Sequence, residues 1–359
     1  MKSIQAKRRT ETYRKSFEEI RSRLGTRQPG KYSDSADETR RAIESLIGRQ
    51  KDWWGWELRA RAEPDPMKKE KIYRKGIEQF KDSAELKGAL AAHLAWRMKN
   101  SEEAKRLYLE TLNEAPYNAH NTVSFAHFLK EFGNDKERAE SESLCRHALE
   151  LAPNDGVVLA HAATFLADSK PEEAEQLFRR AIPFPQNQPW IFGRFADFLS
   201  RRKPADAESF YRQAISSEPN NPDPRANLAL FLLSQGRNRE AEDQAVGALT
   251  ANDQSVQAKA EALLYIGLTA KLENKDDSHA LGRLRTLLKN DFVRIPWSFE
   301  DIFEVTAPKL TEDDTKLYSA LGAAILDTNR VSDLETLPRW QHIKALPLDP
   351  LGFQMVCST

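Results

Sequence analysis

Cysteine is almost missing from this chain: two in 359 residues, Cys145 and Cys357. That excludes a disulfide-stapled scaffold and a cysteine zinc site, and it fits a reducing compartment. Long apolar runs are missing too. The longest stretch without a charged residue, 181–193, is interrupted by three prolines, whereas a membrane helix needs roughly 18 consecutive uncharged apolar residues. The first ten residues, "MKSIQAKRRT", are basic but have no apolar segment behind them, so a secretory signal is not expected and a cytoplasmic protein is. Surplus charge of one sign is also absent, with 54 Lys and Arg against 54 Asp and Glu. There is thus no global pull toward nucleic acid or an anionic membrane. The balance is uneven, however: residues 1–31 hold ten Lys and Arg against three Glu, leaving a deficit of seven positive charges on the remainder.

What the chain has instead is repetition. Residues 170–182 read "KPEEAEQLFRRAI" and residues 203–215 read "KPADAESFYRQAI". Three further segments share the pattern: "SEEAKRLYLETL" (101–112), "EAEDQAVGAL" (240–249) and "HALGRLRTLL" (279–288). In each, small or apolar residues fall at i, i+4 and i+7, as in Ala104/Tyr108/Thr111, Ala174/Phe178/Ala181, Ala207/Tyr211/Ala214, Ala241/Ala245/Ala248 and Ala280/Leu284/Leu287. That spacing covers one face of an α-helix. A fainter copy is Ser141/Cys145/Ala148. The leading positions step by 37, 33, 33, 34 and 39 residues, so a unit of about 34 residues recurs six times.

Another helix precedes each of these. "LKGALAAHLAW", "TVSFAHFLKEFG", "VVLAHAATFLA", "WIFGRFADFLS", "ANLALFLLSQG" and "LLYIGLTAKLE" place a large and a small residue side by side, as in Phe125–Ala126, Phe195–Ala196, Leu228–Ala229 and Ile266–Gly267. The small residue admits a partner helix and its neighbour fills the gap. "EAPYN", "LAPND" and "SEPNN" punctuate the helix ends with Pro and Asn. A hairpin of this kind cannot bury its apolar face alone and must stack on its neighbours. The residues resemble the tetratricopeptide repeat family, whose second helix carries Ala-x3-Phe and whose end carries Pro. The best match is 222–249, with Leu228–Ala229, Gly236, Ala241 and Ala248 in register, and the resemblance covers roughly 51–290. It implies an all-α, right-handed α-solenoid of about seven helix hairpins with helical caps at both ends.

The expected layout is a basic arm and linker at 1–35, a degenerate capping hairpin at 36–83, the array at 84–290 and a helical cap and tail at 291–359. In the arm, Tyr13, Phe17, Ile20 and Leu24 share one helical face before Gly25, a basic amphipathic helix suited to docking on this chain, a partner or an acidic surface. Trp53, Trp54 and Trp56 read as the hydrophobic lid of an end unit, since repeat arrays need atypical caps. Residues 119–155 carry three extra residues, placed here before the second helix. Thr311, ahead of three acidic residues, is an N-cap signal. The stretch from 297 to 340 is weakly similar to the ends of bacterial repeat regions fused to effector domains.

Motifs that suggest chemistry have plainer readings. "GTRQPGKYS" (25–33) has the frame of a phosphate-binding loop, but Tyr32 stands where a hydroxyl must reach Mg²⁺ and a charged helix precedes it; it reads as a linker. His93, His127 and His161 lie 34 residues apart, yet zinc needs ligands about 2.1 Å from one point while helix pairs stand about 10 Å apart. No metal, cofactor or catalytic residue is expected. Glu172–Glu173 and Asp313–Asp314 suit helix starts, and Cys145 reads as a small core residue.

In arrays of the resembled family the first helices line the concave surface. The outward positions on those helices are His93, Trp96 and Arg97; His120, His127 and Lys130; His161 and Thr164; Trp190, Arg194, Asp197 and Arg201; and Asn227. Aromatic, Arg and His side chains of this kind make binding surfaces. The expectation is a non-catalytic scaffold that holds a peptide or helix of another protein, with no membrane partner. Two alternatives stand: nucleic-acid association through the arm, and an adaptor subunit of a bacterial effector or defence system. Positions where some family members clamp a peptide carboxylate hold Ala160, Thr164 and Ala226, which disfavours that mode.

Overall fold

Asparagine, aspartate, serine and threonine start most of the helices. In the computed structural model, which describes residues 53–63, 65–98, 100–184, 188–251, 256–288, 299–327 and 330–345, Asp65, Ser83, Asn100, Asn118, Asn134, Asp155, Asn221 and Thr311 each accept a backbone N–H of the first turn. Such caps satisfy donors that have no partner inside the helix. Lys170 and Lys203, which open the doubled sequence, make no such bond; Pro171 and Pro204 follow them, and proline at the first helical position loses nothing because its N–H would be unpaired anyway.

The described residues form eighteen α-helices and one 3₁₀ turn. They divide into two compact units, 1–152 and 153–359. The first holds three hairpins: α1 (Trp54–Ala62) with α2 (Pro66–Gln79), α3 (Ala84–Arg97) with α4 (Ser101–Glu114), and α5 (Ala119–Phe132) with α6 (Asp135–Leu151). The second holds four: α7 (Gly156–Leu166) with α8 (Pro171–Ala181), α9 (Gln188–Ser200) with α10 (Pro204–Ser217), α11 (Pro222–Ser234) with α12 (Asn238–Thr250), and α13 (Val256–Leu272) with α14 (Ser278–Leu287). Then come α15 (Glu300–Thr306), the 3₁₀ turn Ala307–Lys309, α16 (Glu312–Leu326), α17 (Val331–Leu334) and α18 (Pro338–Ala345). This is the all-helical hairpin solenoid read from the repeats. The arm, the linker and the tail beyond 345 lie outside the described residues, as does most of the first helix proposed for the capping hairpin.

The core is built where the spacing places it. Ala104, Tyr108, Thr111, Ala174, Phe178, Ala181, Ala207, Tyr211, Ala214, Ala241, Ala245 and Ala248 are all buried, and so is Cys145. Trp54 is buried and Trp56 packs on the core of the first unit. Close approach there depends on Gly76, where a Cβ would stand 2.8 Å from Cβ of Trp56. The three extra residues of 119–155 are not a loop. They lengthen α6 to 17 residues, started by a capping box in which Asn134 and Glu137 exchange side-chain and backbone bonds, an arrangement that favours extending the helix over looping out.

Successive hairpins are also tied by charge. In the first unit Arg74 reaches Glu103 at 2.9 Å and Lys105 pairs with Glu137. In the second Lys203 reaches Glu175 at 2.8 Å and Arg237 reaches Glu208 at 2.5 Å. The last hairpin receives a further one. α16 packs on α13, α18 on α14 and α18 on α16, so α16 and α18 take the places of a first and a second helix. Arg339 of α18 bridges the buried carboxylates of Asp277 and Asp314. Tyr318 donates to Asp277 at 2.6 Å, and Lys271 stands 3.3 Å from Asp314. Arg285 donates to the Ile343 carbonyl at 2.9 Å.

Candidate functional site

Large–small pairs set a register that runs through the first helices. Leu90–Ala91, Phe125–Ala126, Ala162–Ala163, Phe195–Ala196 and Leu228–Ala229 are all buried. The residue after each pair is half-buried: Ala92, His127, Thr164, Asp197 and Leu230. The next is buried: His93, Phe128, Phe165, Phe198 and Phe231. His93 therefore stands in a core column, one place from His127. The hairpin step here is 35 residues, so the 34-residue spacing of the histidines does not mark equivalent positions. Its Nε2 lies 2.9 Å from the Pro66 carbonyl oxygen, and its ring is 6.1 Å from that of Tyr73. Burial holds its pKa below the usual histidine value, so near neutrality it is an uncharged imidazole donating to Pro66. This corrects the reading of His93 as a groove residue.

In the first unit, the open side of α3 and α5 carries Trp96 and Phe132, with ring centroids 4.9 Å apart. His127 and Lys130 are half-buried there, and Arg97, His120 and Phe132 are exposed. In the second unit α9 is seated firmly. Phe195 packs on Phe178 at 5.2 Å and Phe210 at 4.7 Å, and Arg179 lies over its ring at 5.6 Å. With that side buried, Trp190, Arg194, Asp197 and Arg201 fall on the other. The Trp190 ring meets that of His161 from α7 at 4.6 Å. Asp197 accepts a 2.8 Å bond from the Tyr211 hydroxyl and has Arg194 at 3.6 Å. Burial, followed by the Asp197 charge, pushes the Tyr211 hydroxyl well above the usual tyrosine value, so it stays a donor and fixes the carboxylate. Arg201 is exposed, and Asn227 is half-buried on α11.

The sequence gave no sign of where this open side ends. α15 packs on α11, Phe299 on Tyr265 of α13 at 6.2 Å, and Phe303 beside Gly322 of α16. Second helices α10 and α12 cover one side of α11 while α9 and α13 flank it; α15 occupies the side that remains. Leu230 and Leu233 of α11 supply apolar surface where α9 has Asp197 and Ser200, and Phe299 and Ile302 are buried there. The first-helix face of the second unit is thus open over α7 and α9, and α15 covers it at α11. The swap of Asp197 and Ser200 for Leu230 and Leu233 is the signal that could have revealed it.

Among the described residues no cluster of His, Cys, Asp and Glu has the arrangement of a metal site, and no helix is long and apolar enough to cross a membrane. Residues 198–264 match the family model described as tetratricopeptide repeat. No curated protein sequence matches the chain. Among solved structures, the Cut9–Hcn1 hetero-tetramer of the APC/C is similar at 12% identity with a TM-score of 0.56, over 88% of this chain and 60% of that one. PilW, a type IV pilus biogenesis factor, matches at 18% identity and TM-score 0.45, over 62% and 97%. PilF of Pseudomonas aeruginosa matches at 20% and 0.44, over 64% and 98%.

Proposed function

On the premise that this chain is a tetratricopeptide repeat protein, we propose that it works by binding rather than by chemistry, as a scaffold that holds a peptide or helix of another protein on its first-helix face. One observation carries the reading. Over α7 and α9 the face presents paired rings from His161 and Trp190 and a carboxylate fixed by Tyr211, while the apolar end of the same face is taken by the chain's own α15. Rigid aromatic and planar charged groups on a firmly seated helix supply binding energy at low entropic cost, and α15 is an example of a helix resting on such a face. Asn227 and, in the first unit, Trp96, Arg97, His127 and Lys130 belong to the proposed surface.

The test replaces Trp190 and Arg194 together with alanine. Recovery of the partner by affinity purification and mass spectrometry should fall at least tenfold while helicity by circular dichroism is unchanged. Undiminished recovery from a folded variant overturns the assignment.

A further inference from the structure

The face over α9 specifies the chemistry of what it holds, and this step rests on the reading just given. Its two arginines, Arg194 and Arg201, are seven residues apart on one helix, and Trp190 lies four residues before the first. At 1.5 Å per residue those separations are about 10 Å and about 6 Å. The acidic groups nearby are committed elsewhere. Asp197 is fixed by Tyr211, and its 3.6 Å separation from Arg194 exceeds hydrogen-bond length. Asp223 sits in the first turn of α11, where it offsets the helix dipole. Asp168 is exposed just beyond α7. Arg202 is part of the framework, donating to the Ala167 carbonyl at 2.9 Å and lying over Phe198.

From this we infer that the occupant of the α7–α9 face is an extended, acidic segment of a partner protein, with one aromatic or large apolar side chain on Trp190 and His161 and carboxylates at Arg194 and Arg201. An extended chain advances about 3.3 Å per residue, so the spacing selects an aromatic residue, an acid two places away and a second acid three places beyond. Guanidinium groups bind carboxylates in two-pronged fashion, which suits two fixed arginines to two acids. The α15 end of the face is built differently, apolar and already covered, so the acidic segment stops at α9. Gly193, between Trp190 and Arg194, has nothing within 4 Å of where a Cβ would stand, and a bulky residue there fills the space the segment needs without disturbing the core.

The probes are short fluorescein-labelled Gly-Ser peptides carrying Phe and two Glu at that spacing, in both chain directions, and their Lys-for-Glu counterparts. Binding to the full chain is read by fluorescence anisotropy. One acidic peptide should bind saturably and lose affinity severalfold on raising salt from 0.05 to 0.3 M, as about one Debye length of screening implies. Arg194→Glu with Arg201→Glu should weaken it tenfold or more and admit the Lys peptide instead. Gly193→Leu should weaken both. Equal binding of acidic and basic peptides to the unaltered chain, or indifference to the charge reversal, overturns the inference. If no acidic peptide binds while recovery of the partner still depends on Trp190, the acidic assignment fails and the proposed face stands; if neither depends on these residues, both fail.

Discussion

Two tyrosines show how much a single buried hydroxyl decides. Tyr108 lies between Phe125 and Phe128 at 5.4 and 5.5 Å, and its hydroxyl has no hydrogen-bond partner. Tyr211 occupies the equivalent place one unit later and donates to Asp197. An unsatisfied buried hydroxyl costs roughly 1–3 kcal/mol, and a formed bond contributes about 1. Tyr108→Phe should therefore leave stability unchanged or raise it, and Tyr211→Phe should lower it by about 1 kcal/mol; urea titration of the two variants checks the contrast. His93 offers a second test. Because its folded pKa is below the unfolded value of 6.5, the unfolded chain binds more protons and stability rises with pH. Its contribution is complete above pH 6.5 and is lost as pH falls through the lower folded value. Phenylalanine holds this column in four other hairpins, so His93→Phe should keep the fold and flatten the stability slope between pH 7 and 5. Identity and spacing made the core residues readable from sequence. They did not reveal His93's column, because a hairpin step of 35 residues shifts the register by one and the residue type gives no warning.

Helices and their ends were legible for local reasons: caps, prolines and the i, i+4, i+7 faces depend on neighbours in sequence. What could not be read were the long-range partners of an element. Nothing within residues 299–306 states that they will lie on α11, since that pairing joins segments about 70 positions apart through shape alone. The same holds for Arg339, which reaches Asp277 62 residues away. That bridge is open to test. Breaking a buried pair by removing one partner costs about 3–5 kcal/mol, so Arg339→Met should release α16 and α18 from α13 and α14. Hydrogen exchange should then rise across 312–345 and spare α9. Unchanged protection there would show that packing alone holds the terminal hairpin. The carboxylates that link successive hairpins titrate below the usual glutamate range: Arg74 holds Glu103 down, Lys203 holds Glu175 down and Arg237 holds Glu208 down. Carboxylates shifted down stabilise the folded chain above their unfolded value and lose that contribution as pH falls through the folded one. Below about pH 4.5 the contacts between hairpins should weaken together, a loss that circular dichroism with acid titration will follow.

At the scale of the whole chain, an array of this kind derives its stability from each hairpin and its nearest neighbours. The period of about 34 residues was visible because each turn of the array solves the same packing problem with the same small set of residues. The division at residue 152 was not visible, as no composition change marks it. Neither was the asymmetry of the first-helix face, apolar and covered at α11, polar and open at α9, on which the functional account depends. Site-specific photocrosslinking tests that account most directly. A photoreactive residue at Thr164, on the open face, should capture the partner, while one at Gln176, exposed on the second helix α8, should not. Capture from position 176 with none from position 164 would contradict it.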